Sequence, residues 1–301
     1  MKKISCILAP MAGITDKPYR LLIRKFTKSP LFTEMVGVGS LMAERRETKQ
    51  KLNLSNEDNI IVQLVGCDPV LMAKSALIAE KKGAVEININ MGCPVKKLIV
   101  NKSGASLMLY PNLAVEIVEA LKKTVHIPVS VKTRIGWETQ KCDMYDFFQR
   151  LQDVRVDKIY IHGRFKEQGN VGKINFKSMK DLRKTIHVPC YGNGGVKNRE
   201  DAEDMIRETE VDGVMIGQAT FAKPWLISDI ETGNCACVNI KDIMEEHFDL
   251  MMSYYGNHGI KMMRKFYKFY LQQISEENEY ILKELYRLNE VNEILFFIRH
   301  L

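Results

Sequence analysis

Nowhere in its 301 residues does the sequence hold an unbroken apolar run of about 18 residues, the length a membrane-spanning helix needs. The stretch Met1 to Pro10 is too short and too quickly interrupted to serve as a signal peptide. Low-complexity tracts are absent. The seven cysteines are scattered and odd in number, which excludes a disulfide framework and fits a reducing cytoplasm. Cys235 and Cys237 flank Ala236, with His247 further on. No second ligand pair follows at zinc spacing, so no metal is expected. Nor does a dinucleotide-binding glycine turn follow the first apolar run; "LAPMAG" lacks that fingerprint, which weighs against a doubly wound open sheet.

What remains is an ordinary globular composition, 46% hydrophobic and 27% charged, long enough for a full core with a small second unit. The net charge is +7, unevenly spread. Residues 241–301 hold 8 Lys and Arg against 10 Asp and Glu. The basic excess therefore lies in the first 240 residues, a weak sign of an anionic partner.

Eight short β-branched runs recur: Cys6–Ala9, Leu31–Thr33, Ile60–Val65, Val85–Asn90, Pro128–Lys132, Lys158–His162, Val188–Asn193 and Gly213–Ile216. Helical periodicity fills most of the gaps, as in Pro69–Lys82 and Pro111–Lys123. Such alternation implies parallel strands joined by right-handed crossovers. Eight units predict an α/β fold of the (β/α)₈ TIM barrel type over residues 1–235. From residue 241 the pattern is wholly helical, so a small all-helical domain is expected over 241–301.

The strands end in polar residues: Glu34, Gln63, Asn90, Lys132, His162 and Asn193. Catalytic groups of this barrel come from the C-terminal ends of several strands. Period-two alternation places Glu86, Asn88 and Asn90 on one face, and Ser130, Lys132 and Arg134 on another. These faces are expected to line the mouth, with the apolar faces packed on helices. Gly192-Asn193-Gly194-Gly195 and Gly217-Gln218 follow strands seven and eight, where such barrels bind phosphate. Cys93 lies in the stretch "ININMGCPVKK", just past its strand-like part. Alone, a thiol there reads either as an inert buried side chain or as a chemical group at a strand tip.

Together, "LAPMAGITDKPYR", "NMGCP", "KSGASLMLYP", "KTRIGW", "IHGR", "GNGG" and "DGVMIGQA" resemble the tRNA-dihydrouridine synthases, most closely their bacterial B-type branch. The resemblance covers about three-quarters of the chain. It implies FMN at the mouth of the barrel, NADPH or NADH as reductant, and reduction of uridine in tRNA to dihydrouridine. By motif, Pro10, Met11, Ala12, Gln63, Lys132 and His162 would hold the flavin. Asn193, Gly194, Gly195, Gly217 and Gln218 would complete its site, and Cys93 would be the catalytic acid. Asn90 would bond the uracil edge or the flavin, and Arg134 would contact substrate. Lys96 and Lys97, with Lys102, put positive charge where an RNA backbone would pass. In "KMMRKFYKFY", Lys261, Arg264, Lys265 and Lys268 share one helical face. That face reads either as an ordinary solvated surface or as an outward basic stripe gripping tRNA through Arg264 and Lys268.

The chain departs from the family at Gln218, where Arg is common, and at Phe165, where Thr is usual. Asn170 and Val171 occupy a loop that often carries an aromatic residue. The expected partner is tRNA, with neither DNA nor a membrane, and the enzyme is expected to be a cytoplasmic monomer. Two other readings stay open at this point. One is a flavin barrel oxidoreductase acting on a free pyrimidine; the other is an RNA-binding protein that does not catalyse.

Overall fold

A strand covered on both faces needs an almost continuous apolar run, and the third strand, IIVQLV, is buried at every position. The computed structural model describes residues 3–138, 142–274 and 278–301. Eight parallel strands close into a barrel in sequence order. They are β1 (Cys6–Leu8), β2 (Leu31–Gly37), β3 (Ile60–Val65), β4 (Glu86–Met91), β5 (Val129–Arg134), β6 (Lys158–His162), β7 (Cys190–Asn193) and β8 (Gly213–Ile216). Closure comes from pairing of β1 with both β2 and β8.

Helices cross between strands, with local signals at their starts. Asp68 accepts the Leu71 N–H at 2.9 Å and Pro69 opens the helix Pro69–Lys81, a side-chain cap joined to a proline whose missing N–H is not needed there. Asp16 caps Lys17–Arg24 in the same way through Tyr19. Two apolar layers result. The outer one packs strands on helices, and Ile87 and Ile89 of β4 belong to it. The inner one fills part of the barrel with Ile7, Ala9, Phe32, Ile61, Tyr160 and Met215.

One strand differs from its expected extent. β2 does not stop at Thr33 but runs to Gly37, and its register against β3 shifts between Phe32 and Met35. An extra residue at such an irregularity re-aims a side chain. Glu34 thus lies within β2 rather than at its end, and its carboxylate accepts the Gly13 N–H at 2.6 Å.

After β8, the helices Ile240–Tyr255, His258–Leu271, Glu279–Arg287 and Val291–Arg299 form the C-terminal region. Its core is continuous with the outer layer of the barrel. Tyr19 stacks on Phe266 with ring centroids 5.3 Å apart, and Tyr255 donates to Asp16 at 3.1 Å. Among the described residues, no helix is long and apolar enough to cross a membrane.

Candidate active site

The C-terminal ends of the strands open into a cavity of about 690 Å³, within the range of small-molecule and cofactor sites. Lys132, His162 and Asn193 reach it from β5, β6 and β7, and Cys93 from the loop after β4. Pro10, Met11 and Ala12 border it after β1, and Gly217 and Gln218 after β8.

Lys132 donates to Asn193 Oδ1 at 2.8 Å. Burial lowers its ammonium to about 7, with Arg134 adding to the effect and Cys93 opposing it. A bound anion would return Lys132 to its charged form. Burial likewise lowers His162 to about 2, reinforced by Lys132, Arg134 and Arg164, so the ring is neutral. Arg164 Nη1 lies 3.1 Å from its Nε2. Guanidinium can only donate, which leaves the imidazole proton on Nδ1.

Gly194 has φ +115. A Cβ there would lie 2.5 Å from Ile174 and 2.9 Å from His162, so only glycine fits this approach to the cavity. A half-buried amine with one hydrogen-bond partner among the described residues, a neutral imidazole and a glycine-lined loop after β7 fit a flavin phosphate and ring system. Pro10, Met11, Ala12, Gln63 and Gly195, with Gly217 and Gln218, stand on the same walls.

Cys93 is half-buried. Its N–H donates to Asn90 Oδ1 at 2.9 Å and its carbonyl accepts from Ala105 N–H at 2.9 Å. Gly104 makes this possible. Its φ is +62, and a Cβ on it would meet the Cys93 carbonyl oxygen at 2.8 Å.

Three residues expected to contact substrate also make bonds within the protein. Asn90 Oδ1 accepts the Gly92 and Cys93 N–H groups, while Nδ2 donates to Gln63. Its amide thus seats the loop at the cavity wall. Arg134 is only 3% exposed. It donates to the Gly92 and Gly169 carbonyls at 2.7 and 2.6 Å and to Asn170 Oδ1 at 3.2 Å. It therefore ties the loops after β4 and β6 together at the cavity wall, where burial lowers it to about 10, still a cation at neutral pH. Arg264 does not project outward. It donates to the Leu288 carbonyl at 3.3 Å and to Asn289 Oδ1 at 3.0 Å, because the helix Glu279–Arg287 ends against it. Lys265 turns inward to the Gly13 carbonyl. Lys261 and Lys268 keep the exposed face, as Lys96 and Lys97 do beside the cavity mouth.

Sequence reasoning gave no site role to Arg164 and noted Asn170 only as a departure from the family; both stand on the cavity wall. Arg164 closes the quoted "IHGR" motif, which was its only signal. The interior faces of β4 and β5 also run deeper than expected. Glu86, Asn88 and Ser130 lie inside the barrel rather than at its mouth.

An eight-stranded parallel barrel with a cavity at its C-terminal strand ends defines the TIM-barrel class. Comparison with known proteins then narrows the class. Residues 7–295 match the profile of the dihydrouridine synthase (Dus) family. The sequence is 33% identical over 285 residues to a protein named "probable tRNA-dihydrouridine synthase" from Rickettsia bellii, covering 91% of this chain and 87% of that one. It is 35% identical over 271 residues to one of the same name from Rhizobium leguminosarum, covering 89% and 86%. Against tRNA-dihydrouridine synthase B of Vibrio parahaemolyticus it is 31% identical over 288 residues, covering 92% and 89%. The chain belongs to the dihydrouridine synthase family. Solved structures share the fold. Histamine dehydrogenase from a Rhizobium species superposes with a TM-score of 0.58 at 13% identity, over 82% of this chain and 49% of that one. A variant of morphinone reductase in complex with tetrahydroNAD gives 0.56 at 9% identity, over 77% and 87%.

Proposed function

We propose that this chain reduces the C5–C6 double bond of uridines in tRNA, with FMN in the barrel mouth and NADPH or NADH as the electron source. The observation that carries this reading is the opening of Cys93 into the same cavity as Lys132. FMN, when bound, would supply the hydride that C6 receives. Lys132 and Asn193 would meet its ring system, and the loop at Gly194 and Gly195 its phosphate. Cys93 delivers the proton that C5 needs. An ordinary thiol is protonated at neutral pH and can give that proton, a service worth about 10²–10⁴-fold. Solvent would then return a proton to the sulfur. The base would gain one hydride and one proton, the two electrons coming from the nicotinamide and the proton from Cys93.

Lys96 and Lys97 put charge at the rim of the cavity, suited to an RNA backbone. A free pyrimidine would need no such rim, and family membership favours the tRNA substrate. A cytoplasmic setting goes with that substrate. The test is direct. Purified protein is incubated with NADPH and tRNA lacking dihydrouridine, and nucleosides are measured by mass spectrometry. A gain of two hydrogens at defined uridines is expected. Unchanged tRNA with a flavin-loaded, NADPH-reducible protein would overturn the reading.

A further inference from the structure

Beneath the cavity, a line of polar side chains runs from the start of β4 to the Cys93 loop, and every donor in it points the same way. Asn90, held at its top by the Gly92 and Cys93 N–H groups, donates from Nδ2 to Gln63 Oε1 at 2.8 Å. Gln63 Nε2 donates to Asn88 Oδ1 at 2.8 Å, and Asn88 Nδ2 to Ser130 Oγ at 2.8 Å. Ser130 Oγ donates to Glu86 Oε1 at 2.6 Å. Glu86 is held in turn by Lys158 Nζ at 2.6 Å and the Tyr160 hydroxyl at 2.9 Å. Strand register brings these groups together: Gln63 lies beside Asn88, Asn88 beside Ser130, and Ser130 beside Lys158.

Donor counting makes the direction a necessity. A carboxylate only accepts and an ammonium only donates. The single hydroxyl hydrogen of Ser130 goes to Glu86, since its other acceptor, the Ile87 carbonyl, is 3.5 Å away. Ser130 Oγ can then only accept from Asn88. Asn88 must therefore turn its oxygen to Gln63, and Gln63 its oxygen to Asn90. That leaves the Asn90 oxygen for the Cys93 loop. Reversing one amide would set two NH₂ groups or two carbonyls face to face. Gln63, Asn88 and Ser130 are all essentially inaccessible, so no water can repair such a clash.

We propose that Glu86 is a positioning residue for the Cys93 loop. Its charge, at the far end of the barrel interior, fixes which way the Asn88, Gln63 and Asn90 amides face, and so seats the thiol. The catalytic meaning of this rests on the reading of Cys93 as proton donor; the positioning itself does not.

The test reads the thiol directly. Ser130→Ala cuts the line and leaves the Glu86–Lys158 pair intact; Ser130→Thr restores the hydroxyl. The protein as purified is treated with iodoacetamide from neutral to alkaline pH, and the peptide carrying Cys93 is followed by mass spectrometry. In Ser130→Ala, modification of Cys93 should be faster by roughly three- to tenfold, the size of one lost hydrogen bond, with circular dichroism unchanged. Ser130→Thr should return it to the wild-type rate. Wild-type reactivity in Ser130→Ala, or a change that Ser130→Thr does not reverse, overturns the proposal. If Ser130→Ala fails to fold, Glu86→Gln takes its place with the same expected rise, and an unchanged rate again overturns it. Failure of the underlying reading looks different. Cys93→Ala turning over tRNA at the wild-type rate would end the catalytic role of the thiol while leaving the alkylation comparison standing.

Discussion

Glu34 and Lys265 hold opposite ends of one peptide residue. The Gly13 N–H donates to Glu34 Oε1, and the Gly13 carbonyl accepts from Lys265 Nζ. Glu34 comes from β2 and Lys265 from the C-terminal helices, while Met11 and Ala12, just before Gly13, line the cavity. The C-terminal region thus takes part in shaping the first cavity loop. Lys265→Met keeps the side-chain stem and removes the charged donor. Its affinity for FMN, measured by fluorescence titration of the apoprotein, is expected to fall roughly tenfold, as for a lost charge-assisted hydrogen bond. Unchanged affinity would mean that the loop holds its shape without the helical region.

Cys93→Ala should keep flavin and tRNA binding and lose product formation by about 10²–10⁴-fold. Reduction of the enzyme by NADPH, followed by stopped-flow absorbance, should hardly change, because that half-reaction needs no proton at C5. Equal losses in both half-reactions would point to a damaged cavity instead.

The exposed lysines at the rim predict a salt signature. Lys96→Ala with Lys97→Ala should weaken tRNA binding and reduce its log–log salt slope by roughly one to two units, as two lost phosphate contacts would. The control, Lys283→Ala with Arg287→Ala, removes the same charge from side chains already paired with Glu279 and Glu284. Matching salt slopes for the two double variants would remove the rim from the RNA interface. Arg264→Ala, by contrast, should lower the thermal midpoint, since its bonds are to Leu288 and Asn289.

His247 sets a pH limit on stability. It is fully buried, 4.5 Å from the Phe266 ring, with Nδ1 2.8 Å from the Tyr270 hydroxyl. Its Nε2 finds no hydrogen-bond partner among the described residues. Burial, helped by Lys265, lowers it to about 3. An unfolded histidine titrates near 6.5. Between these values the unfolded chain takes up a proton that the folded one refuses, so stability is complete above about 6.5 and falls as pH drops. At pH 5 the loss is about 2 kcal/mol relative to neutral pH. Denaturant unfolding of His247→Phe should show a flatter pH dependence; an unchanged slope would assign the acid sensitivity to other groups.

The barrel was legible because a parallel strand covered on both faces has to be apolar, and each run was separated by a helical period. Glu34 was placed at a strand end because an irregular register leaves no mark in a seven-residue run. Alternation correctly sorted Asn88 from Ile89 by face, but a face has no depth. Whether a polar residue reaches the mouth or stays inside depends on strand stagger, and so the Glu86–Ser130 pair could not be foreseen. Arg264 showed the right spacing for an outward stripe. What turned it inward is the end of the next helix, which its own helix does not encode. Cys93, two residues past the end of β4, and Lys132, two residues before the end of β5, both line the cavity as expected, because each sits close to the point where a strand gives way to a loop.

Gly104 and Cys93 show how such a site can be lost without any of its functional groups being touched. The carbonyl of Cys93 rests against a residue whose contribution is the absence of a methyl group. Stripping side chains one at a time would never reveal this, since Gly104 has none to strip. Only addition would: one carbon at Gly104 would displace the thiol while leaving the charge, polarity and composition of the cavity as they were. The tolerance of this enzyme to change is therefore bounded by volume as well as chemistry, and an intact set of polar residues is not by itself a mark of an active one.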